Sequence, residues 1–141
     1  MTLKIKEIMT TDVRAISAND SISEAANIMK ELDVGAVPVL DNHILVGMIT
    51  DRDLVLRAVA EGKSSDERVS TIMTKDITSA TSDMDVHKVA DIMASKQIRR
   101  IPIVDNGRLV GIVSIGDMAV EDIFENEAGE ALHTISMGVR H

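Results

Sequence analysis

The chain has 141 residues, 45% of them hydrophobic, a net charge of −8, no cysteine and one aromatic residue. That length suits one domain or two very small ones, folding without disulfides around Ile, Val, Leu, Ala and Met. The acidic balance argues against duplex DNA and anionic membrane surfaces, which need clustered Lys and Arg, and no apolar run approaches the ~20 residues of a membrane span.

The N-terminal MTLKIKEIMTTD lacks the apolar stretch and cleavage site of a secretory signal, so the chain reads as soluble and cytoplasmic. A short strand is predicted over residues 13–16. A helix follows: Ser21-x-x-Glu24 matches a capping box, and Ile22, Ala25, Ala26, Met29 and Leu32 fall on one helical face. Residues 36–40 read as a strand with Pro38 near its start, Asp41-Asn42-His43 as a turn, and residues 44–49 as the partner strand of a hairpin. A second helix is expected from about Arg52 to Glu61, stopped by Gly62, and GKSSDE is a polar linker.

The order then recurs. A strand is predicted over residues 77–80. A helix follows with Asp85 as N-cap and Val86, Val89, Ala90 and Met93 on one face. A strand over 100–104 carries Pro102, Asp105-Asn106-Gly107 makes the turn, a strand covers 108–113, and a helix starts near Gly116. Beyond the recurrence, EDIFENEAGEALHTIS could form a polar helix, although Gly129 weakens it.

Residues 8–55 align with 72–119 without a gap. Ile8-Met9-Thr10 meets Ile72-Met73-Thr74, Pro38 meets Pro102, Leu45-Val46-Gly47 meets Leu109-Val110-Gly111, and Asp53 meets Asp117. The chain is thus two copies of one β-α-β-β-α unit. The expected class is α+β, two units packed around a pseudo-twofold axis. The expected boundaries are residues 7–62 and 71–122, with a linker and lead-in at 63–70 and a C-terminal extension at 123–141.

The IMT at the head of each unit, VPVLD and IPIVD in the middle, and GMITDRD and GIVSIGD at the end resemble a tandem pair of cystathionine β-synthase (CBS) domains, a Bateman module. The layout is similar to that of small stand-alone bacterial CBS-pair proteins, and the resemblance covers about residues 5–120. It implies no catalytic domain, a homodimer, an unidentified protein partner, and clefts between the two domains for an adenosine-containing ligand. That ligand would be AMP, ADP or ATP, with S-adenosylmethionine or NAD as other members of the class. No cofactor is required.

The repeated aspartate has two readings. Thr50-x-x-Asp53 and Ser114-x-x-Asp117 sit where a strand hands over to a helix, so hydroxyl and carboxylate can cap orphan N–H groups. A carboxylate at such a corner can also accept the hydroxyls of a ribose. By resemblance, G-h-h-S/T-x-x-D is the family's ribose-binding signature, and both roles can coexist. Arg99-Arg100 reads as a solvated strand edge or, by resemblance, as a phosphate contact through paired, charge-assisted hydrogen bonds. Copy one has Gly35-Ala36 there, so phosphate binding should be asymmetric. The resemblance groups Thr10, Val13 and Ala15 with Arg100, Ser114 and Asp117 at one site, and adds Arg99, Pro102 and Gly116 to the expected ligand-binding residues. It groups Thr74, Ile77 and Ser79 with Thr50, Arg52 and Asp53 at the other. Val13 and Ile77 read equally well as core. Adenine would lie between aliphatic side chains, since aromatics are lacking.

Other chemistries find little support. His43, His87, His133 and His141 lack metal-ligand spacing, and no G-x-S-x-G, H-E-x-x-H or phosphate loop occurs. The expectation is a non-enzymatic regulatory binder without a metal, contacting neither nucleic acid nor membrane. The alternative is a protein-interaction module with vestigial clefts, recognised through its C-terminal extension.

Overall fold

The computed structural model describes residues 3–120, so the predicted C-terminal helix and the extension at 123–141 lie outside the described residues. The fold is α+β. In chain order the elements are a 3-10 turn Ile5–Glu7, β1 (Ile16–Ser17), α1 (Ile22–Leu32), β2 (Ala36–Asp41), β3 (Ile44–Thr50), α2 (Asp51–Asp53) running on as a π-helical segment Leu54–Val59, a 3-10 turn Val69–Thr71, α3 (Val86–Lys96), β4 (Arg100–Asp105), β5 (Arg108–Ser114) and α4 (Ile115–Val120).

The chain divides into two compact units that do not follow the repeat boundaries. One, the first-repeat unit, is Arg14–Ile77. The other, the second-repeat unit, joins the N-terminal residues through Val13 to the chain from Thr78 onward. Each repeat's lead-in therefore packs on the other repeat. In the second-repeat unit, the Ile5 amide donates to Met84 O at 2.8 Å, the Val86 amide to Leu3 O at 3.0 Å, and Ile5 is fully buried beside Val86, Val89 and Met93. In the first-repeat unit, the Val69 amide donates to Asp20 O at 2.8 Å, the Ile22 amide to Glu67 O at 2.9 Å, and Val69 is fully buried beside Ile22 and Met29. Both cores are aliphatic, as the lack of aromatics requires, and Met29 and Met93 are core filler.

Within each unit the hairpins repeat in detail. β2 pairs antiparallel with β3 and β4 with β5. Each carries an irregularity at the same place, between Val39 and Leu40 and between Ile103 and Val104. Positive φ at Asn42 and His43, and at Asn106 and Gly107, gives the two-residue turns whose twist suits a hairpin.

Local details differ from the sequence expectations. The first strand is only Ile16–Ser17, parallel to β2, and its copy shrinks to one bridge between Ala80 and Ile103. The residues before it instead serve the lead-in, where Thr10 bridges Ile112 and Thr74 bridges Met48. The capping box at Ser21 is half made: Ser21 Oγ accepts from the Glu24 amide at 3.1 Å, with no return bond. Asp85 caps α3 as expected, accepting from the His87 amide at 2.7 Å. The second helix begins one residue early, at Asp51. It then widens, with five-residue bonds from the Ala60 amide to Val55 O and the Lys63 amide to Ala58 O, both 2.9 Å, before Gly62 stops it at φ 68°.

Candidate functional site

The site is built where β3 and β5 turn into helices. Thr50 Oγ1 accepts from the Asp53 amide and Asp53 Oδ2 from the Thr50 amide, both at 3.0 Å. Ser114 and Asp117 reproduce this at 2.9 and 3.1 Å. Each pair is a reciprocal capping box, so both aspartates cap their helices.

The motif glycines answer to packing. A Cβ on Gly47 would lie 2.8 Å from both Met73 Sδ and the Thr74 carbonyl oxygen. One on Gly111 would lie 2.6 Å from Met9 Sδ and 3.0 Å from the Thr10 carbonyl oxygen. The lead-in IMT segments thus lie directly on the motif glycines, held by amide–carbonyl pairs between Met48 and Thr74 (2.9 and 2.8 Å) and between Thr10 and Ile112 (2.9 Å each way). IMT and the glycine–aspartate motif form one constellation within each unit. Gly116 is different: its nearest contact would be Ser114 Oγ at 3.5 Å, so space alone does not demand glycine there.

The two copies diverge at the carboxylate. Asp53 is buried, 6% exposed. The Thr74 hydroxyl donates to its two oxygens at 3.2 and 3.1 Å, and Arg57 Nε pairs with Oδ1 at 3.6 Å. Arg57 Nη1 also donates to the carbonyls of Ile72 (3.4 Å) and Met73 (3.3 Å). Asp117 is only half-buried, and among the described residues its hydrogen bonds are those with Ser114 alone. Among the described residues nothing bonds Oδ1, and Thr10, the counterpart of Thr74, makes no bond to it.

Charge diverges too. Arg100 stands opposite Ser114 in the β4–β5 ladder, on the same face, and the Ile115 amide donates to Arg99 O at 3.0 Å. Both arginines are exposed and have no ion-pair partner among the described residues. In the first-repeat unit Ala36 faces Thr50, and a Cβ on Gly35 would lie 3.1 Å from Asp51 Oδ2, so a carboxylate stands near where the other copy has an arginine.

The second-repeat unit therefore contains Thr10, Val13, Arg99, Arg100, Pro102, Ser114, Gly116 and Asp117, with Pro102 buried opposite Ile112. The first-repeat unit contains Thr50, Arg52, Asp53, Thr74 and Ile77; Arg52 is exposed and Ile77 half-buried. Ala15 and Ser79 each belong to the unit opposite their expected companions. Sequence reasoning missed Arg57, which its i,i+4 spacing from Asp53 signals. It also missed Ser82, whose hydroxyl and amide donate to Asp105 at 2.5 and 3.0 Å. These bonds lower the Asp105 pKa below its ordinary 3.8, with slight burial opposing and Lys6 assisting. No group of three or more His, Asp or Glu side chains able to hold a metal occurs among the described residues.

Family comparison agrees with this duplicated architecture. The CBS-domain family model matches residues 5–59 and 69–122. The chain belongs to the CBS-domain family. This CBS pair is 45% identical over 132 residues to the CBS domain-containing protein YhcV of Bacillus subtilis, covering 94% of each chain. Among solved structures it is similar to the CBS domain pair of protein MJ0100 in complex with 5′-methylthioadenosine and S-adenosyl-L-methionine, with 31% identity, TM-score 0.73, and 90% and 99% of the two chains covered. It is also similar to Hypoxic Response Protein I with two coordinated zinc ions, with 30% identity, TM-score 0.76, and 84% and 98% covered. No described helix is long and apolar enough to cross a membrane.

Proposed function

We propose that this CBS pair is a non-catalytic regulatory protein that senses an adenosine-containing ligand through its second-repeat unit. The observation that carries the reading is Asp117, whose Oδ1 no described residue bonds, on a corner whose two arginines have no acidic partner among the described residues. Asp117 Oδ2 keeps the cap while Oδ1 accepts from ribose hydroxyls. Arg100, with Arg99, meets phosphate through its planar fork. The base packs against aliphatic Val13 and Pro102. The adenosyl ligands of MJ0100 support the ligand class, and the two exposed arginines favour its phosphorylated members, AMP, ADP and ATP, over S-adenosylmethionine. Exposed Val55, Leu56 and Val59 on the helical run after β3 support a homodimer. The ligand regulates a partner by binding one arrangement of the dimer more tightly than another.

The second reading, an interaction module without ligand, is favoured by the capping role of both aspartates, which explains the motif without a nucleotide. A thermal-shift panel of AMP, ADP, ATP, S-adenosylmethionine, NAD and GTP separates the two. At one hundred times Kd a single site adds ~2.7 kcal/mol, about 5–11 °C here. The expected result is a shift with adenosine ligands, lost in Asp117→Asn, which retains an oxygen for the cap. No shift with any ligand selects the interaction module.

A further inference from the structure

We infer that Arg57 closes the first-repeat copy of the motif to ligand, so that the chain carries one open site and one filled by its own side chains. The inference rests on the ligand reading above and extends it to the other copy. A carboxylate serves a ribose only if acceptor positions remain free. Asp53 has committed Oδ2 to the Thr50 amide, both oxygens to the Thr74 hydroxyl and Oδ1 to Arg57. Arg57 is held from two sides, because its Nη1 also bonds the carbonyls of Ile72 and Met73. Releasing Asp53 would loosen the same lead-in segment that lies on Gly47.

The side chain of Arg57 is 56% exposed, so it acts as a surface clip and not as a core post. The equivalent position in the other repeat is Glu121, which can neither neutralise Asp117 nor donate to a carbonyl as a guanidinium does. The divergence is therefore reciprocal. The copy that carries Arg57 has Gly35-Ala36 where the other has Arg99-Arg100. It lacks the phosphate device and its ribose device is filled.

The test uses the full chain in wild-type, Asp117→Asn, Arg57→Ala and Arg57→Ala/Asp53→Asn forms. AMP stoichiometry is read by calorimetry, and hydrogen exchange is followed at the Met48 and Thr74 amides. Wild type should bind one AMP per chain, abolished by Asp117→Asn. Arg57→Ala should bind two, and the double variant one again. Loss of the clip should speed exchange at the two amides on the order of tenfold. Two AMP per wild-type chain, one AMP still bound by Arg57→Ala, or unchanged exchange would each overturn the closure. If AMP binds neither protein, the ligand reading fails, and faster or unchanged exchange alone upholds or overturns the clip.

Discussion

Replacing Gly47 by alanine tests the close approach of the lead-in segment to the motif. The new methyl carbon would sit 2.8 Å from Met73 Sδ and 2.8 Å from the Thr74 carbonyl oxygen. The sulfur ends a flexible side chain, although Met73 is buried. The carbonyl is backbone, fixed by the paired bonds with Met48. Relief therefore requires the lead-in to lift off. Overpacking of this kind costs typically about 1–3 kcal/mol. Weakening two backbone hydrogen bonds adds about 0.5–1.5 kcal/mol each. The expected loss for Gly47→Ala is about 2–6 kcal/mol, read from urea unfolding at 25 °C with an unchanged m-value. Gly111→Ala is the internal control. Its carbonyl contact is longer, 3.0 Å, and the tightest clash is with half-buried Met9, which can swing aside, so about 1–2 kcal/mol is expected. Met73→Ala in the Gly47→Ala background should recover little, because the carbonyl remains. A Gly47→Ala cost below about 0.5 kcal/mol, or a larger cost at Gly111, would refute the packing argument.

Ile5→Ala should destabilise by about 2–5 kcal/mol. It should strip exchange protection from α3 and leave α1 protected, because Ile5 lies in the core of the second-repeat unit. Ser114→Ala removes the oxygen accepting from the Asp117 amide and should cost about 1 kcal/mol by thermal melting. The lowered pKa of Asp105 means that its contribution to stability is full above its unfolded value and fades as pH falls through the folded one. Below about pH 4, melting temperature should therefore fall less steeply in Asp105→Asn than in wild type. For the proposed homodimer, Val59→Glu, at a position 76% exposed, should leave only monomer in sedimentation without lowering the melting temperature of the monomer.

Much of the fold was legible because each repeat states its pattern twice. The apolar face of α3, the Asn42 and Asn106 turns and the hairpin strands follow from periodicity and turn chemistry, which are local; on α1 the expected Ile22, Ala25 and Met29 are buried, but Ala26 and Leu32 are exposed and Ile28 is buried instead. The exchange of lead-ins was not legible. Ile5 and Val69 are apolar in any arrangement, and nothing nearby says which core they enter. In the site, the capping role of Thr50 and Ser114 could be read from strand-to-helix spacing. The purpose of Gly47 and Gly111 could not, because the neighbours that demand glycine, Met73 and Met9, are distant in sequence. The asymmetry of Asp53 and Asp117 was half visible in Arg99-Arg100. Its other half depends on a turn of helix bringing Arg57 beside Asp53 and under two carbonyls from a separate segment.

The crossing of lead-ins bears on what a nick in the chain would do. GKSSD is exposed from Gly62 to Asp66, and a protease cutting there would leave two pieces of similar size. Neither piece is a unit: the first would keep Ile5 without the pocket that Ile5 fills, and the second would keep Val69 under the same handicap. Cut protein should hold together, since each piece contributes to both cores, whereas the pieces made separately should stay unfolded until mixed.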